Sequence, residues 1–309
     1  MMRRSFFTIV LSIMAICMMA CVDKDGTSSV DFSTEATESE ITSAQKDIPE
    51  STPEDTPEVT PESEIEFTPE STPQITPEET PQPAAETVVD ITALNAGDII
   101  SPEDVSQGPE LFFQAYEIVE GDAVYNRING RSYRENDHIG LSQLRYLKML
   151  HYNFDHQIQV GEMIVNKAIS QDVLDIFQEL FLNEYEIQSM FLIDDFWQGN
   201  GAASDDASCA ANNTSAFCYR DVTGNSSNLS KHALGLAIDV NPEQNPYVWY
   251  ENGVKVCLDP KAAPYIDRSL GDPHMIVEGD LCCRLFKEHG FIWGGNWNSP
   301  IDYQHFEKR

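Results

Sequence analysis

Basic residues are scarce in this chain. It has 309 residues, and 19 Lys and Arg stand against 51 Asp and Glu, a formal net charge of −32. Phosphate backbones are held by clustered Lys and Arg, so this balance argues against nucleic acid as a partner and against electrostatic attachment to an anionic membrane. A long apolar run is missing as well. The stretch Phe6 to Ala20 follows Met-Met-Arg-Arg and is too short to read as a spanning helix; it has the layout of an export signal, a basic start and a short apolar centre. No Cys-x-x-Cys pair occurs, which weakens a zinc–thiolate reading of the seven cysteines.

Large apolar residues almost vanish between residues 22 and 90, where Ser, Thr, Pro and Glu dominate. Such a segment buries too little apolar surface to offset chain entropy and is expected to be disordered. A four-residue period runs through it, from Thr52-Pro-Glu and Thr56-Pro-Glu to Thr76-Pro-Glu and Thr80-Pro-Gln. Proline favours extended polyproline backbone and the carboxylates repel one another, so the segment reads as an acidic spacer. It carries about half of the net charge. Before it, Met18-Met19-Ala20-Cys21 resembles a bacterial lipoprotein cleavage site, with methionine where leucine is usual. The expected organisation is a leader over 1–21 with Cys21 as the lipid-bearing residue, a spacer over 22–90, and one globular domain over 91–309. That layout places the domain at the outer face of a cytoplasmic membrane, attached through the lipid.

The globular part is long enough for one full core. Its spacing predicts a short helix from Leu141 to Met149, a strand from Met149 to Asp155, another from Gly161 to Asn166, and a helix from Ser170 to Tyr185 with Ser170 as its cap. Ile187 to Phe196 reads as a strand and Gly199 to Asn228 as a long polar loop. Asp280 to His289 reads as a helix ended by Gly290. Helices early, strands late and no βαβ alternation give an α+β class. Five cysteines remain in the domain; Cys209 and Cys218 are a possible bridge, and an odd count leaves one thiol unpaired. His138, His151, His156, His274 and His289 read as surface or packing residues.

Chemistry concentrates in two places. Ser230-Lys-His232-Ala-Leu-Gly235-Leu-Ala-Ile-Asp239 offers an imidazole and a carboxylate, and Asp302-Tyr-Gln-His305 offers a second imidazole with a spare acid three residues before it. On one straight strand His232 and Asp239 would lie over about 20 Å apart on opposite faces. A shared metal therefore needs a bend, which Gly235 permits, followed by a strand carrying Asp239. Three protein ligands with an open fourth position suit a catalytic zinc ion, and Asp302 suits the base for its water. The C-terminal segment carries Phe291, Trp293, Trp297, Tyr303 and Phe306, too apolar for a free tail.

These motifs resemble the D-alanyl-D-alanine carboxypeptidase family of zinc peptidases, the VanY-like enzymes that cut peptidoglycan stem peptides. Further similarity lies in Leu144-Arg-Tyr-Leu147, Asn212 to Arg220, Ala237 to Tyr247 and Gly290 to Trp297, so that the likeness covers about 141–307. The resemblance implies a Hedgehog/DD-peptidase-like fold, a small antiparallel sheet with flanking helices and the zinc site on the sheet. It implies one zinc ion on His232, Asp239 and His305, Asp302 as general base, Arg220 as the residue that holds or polarises the substrate, and Ser230 as a substrate contact. It implies a stem peptide as substrate and a monomer. Carboxypeptidase cleavage at D-alanyl-D-alanine leads; endopeptidase cleavage at L-alanyl-D-glutamate and a non-catalytic wall-binding module are the alternatives. Cys218 departs from the pattern, standing where many relatives have asparagine; paired with Cys209 it would staple the loop that carries Arg220.

Overall fold

The computed structural model describes residues 89–309 apart from 107, 223 and 224. The leader with Cys21 and the spacer up to residue 88 lie outside the described residues. What is described is a mixed α/β domain of small antiparallel sheets and few helices. Among the described residues no helix is long and apolar enough to cross a membrane.

Two short helices, α1 (Pro102–Val105) and α2 (Ala123–Ile128), flank the strand β1 (Gln114–Glu117). β1 pairs with β2 (Leu144–Tyr152), which forms a long antiparallel hairpin with β3 (Ile158–Asn166). The Asn153 side chain closes the hairpin turn by accepting from the amides of Asp155 and Gln157 at 3.0 and 2.9 Å. The expected helix from Leu141 to Met149 is corrected here: only Leu141–Gln143 turn as a 3-10 helix, and the strand begins at Leu144. The reason is that β2 is covered on both faces. Leu144 and Tyr146 pack into one apolar cluster, Leu147 and Met149 into another, so the apolar residues do not alternate with polar ones as they do on a half-exposed strand.

Helix α3 (Ser170–Leu182) lays Val173, Ile176, Phe177 and Leu180 on that sheet, as its spacing predicts. Its cap differs from expectation. Ile169 holds the cap position, and Ser170 Oγ donates to the carbonyl of Lys167 instead. Ile187 to Phe196 is not a regular strand. Amide side chains from elsewhere satisfy its backbone: Asn241 Oδ1 accepts from the Gln188 amide at 3.0 Å, and Asn213 bonds both the amide and the carbonyl of Phe191 at 2.8 and 3.0 Å. The expected loop over Gly199 to Asn228 contains a ten-residue helix, α4 (Gly201–Ala210), capped by Asn200, and a ribbon of β4 (Asp221–Val222) and β5 (Asn225–Leu229). The five cysteines are free, so the 209–218 bridge is not formed; Cys218 Sγ lies 3.6 Å from the Gly201 carbonyl.

The C-terminal half supplies β6 (Ala237–Asp239), β7 (Tyr247–Glu251), β8 (Val254–Val256), α5 (Leu281–Glu288), β9 (Ile292–Trp293), β10 (Ile301–Asp302) and β11 (His305–Glu307). They form two three-stranded sheets, β6-β11-β9 and β10-β7-β8. Asp280 caps α5, and Gly290 follows it at φ 80°. Phe286 of α5 stacks on Phe306 of β11 at 4.1 Å, both fully buried, and this contact anchors the last strand.

Candidate metal centre

β6 and β11 run antiparallel with His305 opposite Asp239, Phe306 opposite Ile238 and Glu307 opposite Ala237. Residues directly opposite in such a pair point to one face, and the next pair points to the other. Ile238 and Phe306 therefore enter the core, each 0% exposed, while Asp239 and His305 face the other way together. The strand period that buries Phe306 also aims His305.

His232 reaches the same point by the predicted bend. His232–Leu234 form a single 3-10 turn, and Gly235 closes it in the left-handed region at φ 64°. A Cβ there would lie 2.6 Å from the Asn166 amide nitrogen, so glycine is required by space as well as by backbone angle. The end of β3 clamps this turn: the Asn166 amide donates to Gly235 O at 2.8 Å and its side chain to Leu234 O at 3.0 Å. Ser230 Oγ accepts from the His232 amide at 3.2 Å, which fixes the start of the turn.

The three donor atoms meet. His232 Nε2 lies 3.1 Å from His305 Nδ1 and 3.2 Å from Asp239 Oδ2, and His305 Nδ1 lies 3.0 Å from Asp239 Oδ1. The outer nitrogens are each engaged. His232 Nδ1–H donates to the carbonyl of Ala216 at 2.7 Å, leaving its Nε2 lone pair directed inward. His305 Nε2–H donates to Glu307 Oε2 at 3.3 Å, leaving Nδ1 inward. Donors held about 2.0–2.1 Å from a tetrahedral zinc ion stand ~3.3 Å apart, so two imidazoles and a carboxylate at this spacing fit that ion. Without a cation, lone pairs this close repel, and a proton must separate them. Burial pushes the His305 imidazole down, but Asp239 and Glu307 carry it up to about 10. Burial likewise pushes the Asp239 carboxyl up, and His232 and His305 together outweigh it and hold it below its ordinary value. The metal and this proton compete for one place.

Asp302 stands beside the cluster on β10, paired with Tyr247 of β7. Its Oδ1 is buried with no hydrogen-bond partner among the described residues. Burial lifts its carboxyl to about 7, against the pull of His305 and with the push of Asp239. Gly294 makes room for it: a Cβ there would lie 2.7 Å from Asp302 O and 3.3 Å from His305 Cβ. The cluster lies in the wall of a cavity of about 880 Å³, which Tyr247, Trp249 and Trp297 line on its apolar side. Ser230 and Arg220 line it too. Arg220 is not free in it: Nη2 pairs with Asp205 Oδ2 at 2.6 Å, and both side chains are nine-tenths buried.

The structure thus brings His232, Asp239, His305 and Asp302 together, sets Ser230 under the turn, and commits Arg220 to a carboxylate of α4. Two residues escaped the sequence reading. Glu307 carried a usable signal, since a residue two positions along a strand shares the face of His305. Asp205 carried none, because its helix was read as loop. His151, one of the histidines read as packing, is buried with Nδ1 at 2.9 Å from Ile187 O, and His274 stacks on Phe154 at 3.6 Å.

A protein-family model described as D-alanyl-D-alanine carboxypeptidase matches residues 223–308, a stretch that contains the three clustered residues and Asp302. The match supports a peptidoglycan-related peptidase. No curated protein and no solved structure matches the chain.

Proposed function

We propose that this chain is a zinc-dependent peptidase that hydrolyses the stem peptides of peptidoglycan. The observation that carries the reading is the convergence of two tautomer-fixed imidazoles and Asp239 beside Asp302, whose buried Oδ1 has no partner among the described residues. His232, Asp239 and His305 would hold the ion. When bound, zinc supplies a Lewis acid and makes a coordinated water easier to deprotonate. The remaining work falls to the chain. Asp302, lifted to about 7 by burial, is suited both to accept a proton from the attacking water and to return it to the leaving amine at neutral pH. Tyr247, Trp249 and Trp297 would flank the peptide and exclude water from the reacting bond. Ser230 keeps the His232 turn in place and lies where a substrate backbone would pass.

The leading bond is D-alanyl-D-alanine, the activity in the description of the matching family and that of the VanY-like enzymes. The pairing of Arg220 with Asp205 favours a second reading, cleavage at an internal bond such as L-alanyl-D-glutamate, because a free terminal carboxylate would compete with Asp205 for Nη2 of that guanidinium. We place the domain at the outer face of a bacterial cytoplasmic membrane, lipid-anchored through Cys21 and held off the surface by the acidic spacer, working as a monomer. The leader layout and the Thr-Pro-Glu period support this placement.

The test is release of D-alanine from muropeptides by zinc-loaded protein, with and without a chelator. Chelator-sensitive release of D-alanine is the result the leading reading expects. Products cut only between L-alanine and D-glutamate reassign the bond, and no product at all from zinc-loaded protein overturns the enzymatic reading.

A further inference from the structure

Arg220 and Asp205 form a built pair in the cavity wall. Their 2.6 Å contact is nine-tenths buried on both sides. Arg220 is tied to the metal-side turn, since its carbonyl accepts from the Ser230 amide at 3.1 Å and the Cys218 amide donates to His232 O at 3.2 Å. Asp205 comes from α4, whose first turn is pressed against the same segment. A Cβ on Gly201 would lie 3.1 Å from Arg220 Cβ and 3.2 Å from Tyr219 O. Further along α4, Cys209 Sγ meets the side chain of Gln304, the neighbour of His305, at 3.9 Å. The pair therefore lines the same cavity as the His232, Asp239 and His305 cluster.

The other charges in the wall are mostly acidic. Asp206, Glu243 and Asp259 add negative charge; of the two lysines, Lys231 Nζ is turned to the carbonyl of Lys308 at 3.4 Å and Lys261 is exposed. Arg220 Nη1 donates to the Asp221 carbonyl at 3.2 Å, so a carboxylate that takes Nη2 has to displace Asp205 and leave it buried without a counter-charge, which is strongly unfavourable.

Resting on the second reading above, cleavage at an internal bond, we propose that Asp205 determines specificity: it holds Nη2 of Arg220, so the site disfavours peptides with a free carboxylate next to the scissile bond and accepts those whose chain continues. Asp205 acts here as a stand-in for the substrate's carboxylate, supplied by the protein itself. Its role is to set which peptides bind, and it takes no part in the proton transfers.

The experiment uses two stem peptides identical but for the C-terminus, one a free acid and one a carboxamide. Each is tested on the zinc-loaded full chain and on Asp205→Asn and Asp205→Glu. The reading is the ratio of kcat/KM for acid over amide, with binding of the same two peptides measured by calorimetry. The wild-type protein prefers the amide. Asp205→Asn releases Arg220 and raises the ratio roughly 10- to 100-fold, the worth of one hydrogen bond to a charged group. Asp205→Glu keeps the pair and the wild-type ratio. A structural role alone would lower both peptides together and leave the ratio fixed in Asp205→Asn, and that result sinks the proposal. If neither peptide is cut by the wild-type protein, the peptidase reading fails; the calorimetric ratio then still decides whether Asp205 screens Arg220.

Discussion

Glu162 and Asp239 are equally inaccessible, each 2% exposed, yet they keep opposite company. Glu162 accepts two hydrogen bonds from Arg127, at 2.6 and 2.8 Å, and a third from Tyr146 at 2.6 Å. Its charge is matched and its oxygens are occupied by groups that belong to the same sheet and a neighbouring helix. Asp239 faces two imidazole nitrogens whose lone pairs point at the same spot, next to Asp302 with an unpartnered oxygen. Buried charge costs several kcal/mol per ion unless it is answered. The first cluster is answered from within the chain, which makes it a strut. The second is answered only by a proton or an external cation, which makes it a candidate site.

The difference can be broken from either side. The largest effect is expected at His232→Ala, which would remove one of the three proposed ligands: zinc content and peptidase activity should disappear together, activity by at least about 10³-fold. Elemental analysis beside the muropeptide assay checks it, and activity that survives loss of the metal refutes the assignment. Asp302→Asn should retain zinc and lose about 10²- to 10⁴-fold in turnover. A fully active variant would remove Asp302 from the proton path. Glu307→Gln keeps an acceptor for His305 Nε2–H but removes its charge; zinc affinity should fall about 10- to 100-fold, read by competition with a chromophoric chelator. Unchanged affinity would mean that Glu307 does not orient the ligand.

Acidity sharpens the same contrast. Against the effect of burial, Asp239 and Glu307 push the His305 imidazole up to about 10 in the metal-free fold, so its proton stabilises the metal-free protein below about pH 6.5, and that stabilisation is lost as pH rises through about 10. Zinc must expel this proton. Affinity should therefore rise about tenfold per pH unit between roughly 7 and 9, with one proton released per ion, measured by calorimetry in buffers of different ionisation enthalpy. A flat profile contradicts the pairing of His305 with Asp239. On the strut side, Glu162→Ala should cost about 1–3 kcal/mol of stability by stranding Tyr146 and leaving Arg127 with Asp195 alone, with activity per folded molecule unchanged. Denaturant unfolding alongside the peptide assay tells the two apart; loss of activity without loss of stability would merge the two clusters into one.

The site was more legible in the sequence than the scaffold. His232, Asp239, Asp302 and His305 stand in short motifs, and Gly235 marks the bend that lets the first two meet. The helix α3 announced itself through a regular apolar stripe. Helix α4 did not, because it buries Ser204, Asp205 and Ser208 where a stripe of Leu or Ile would have been visible. The first part of β2, Leu144 to Met149, reads as helical because both its faces are covered, whereas the stretch from Met149 reads as strand. Ile187 to Phe196 lacked any cue, since its backbone partners are the side chains of Asn213 and Asn241, far along the chain. Pairing of Arg220 with Asp205 followed the same rule: interactions that depend on a distant carboxylate leave no local pattern.

The two imidazoles differ in how securely they are held. His232 is steered by the peptide oxygen of Ala216, which every amino acid at that position would also present, so no codon change at 216 deletes the acceptor. His305 leans on the side chain of Glu307, which a single nucleotide substitution can replace. Drift in metal preference among descendants of this chain should therefore enter through position 307, while the opposite anchor stays as it is.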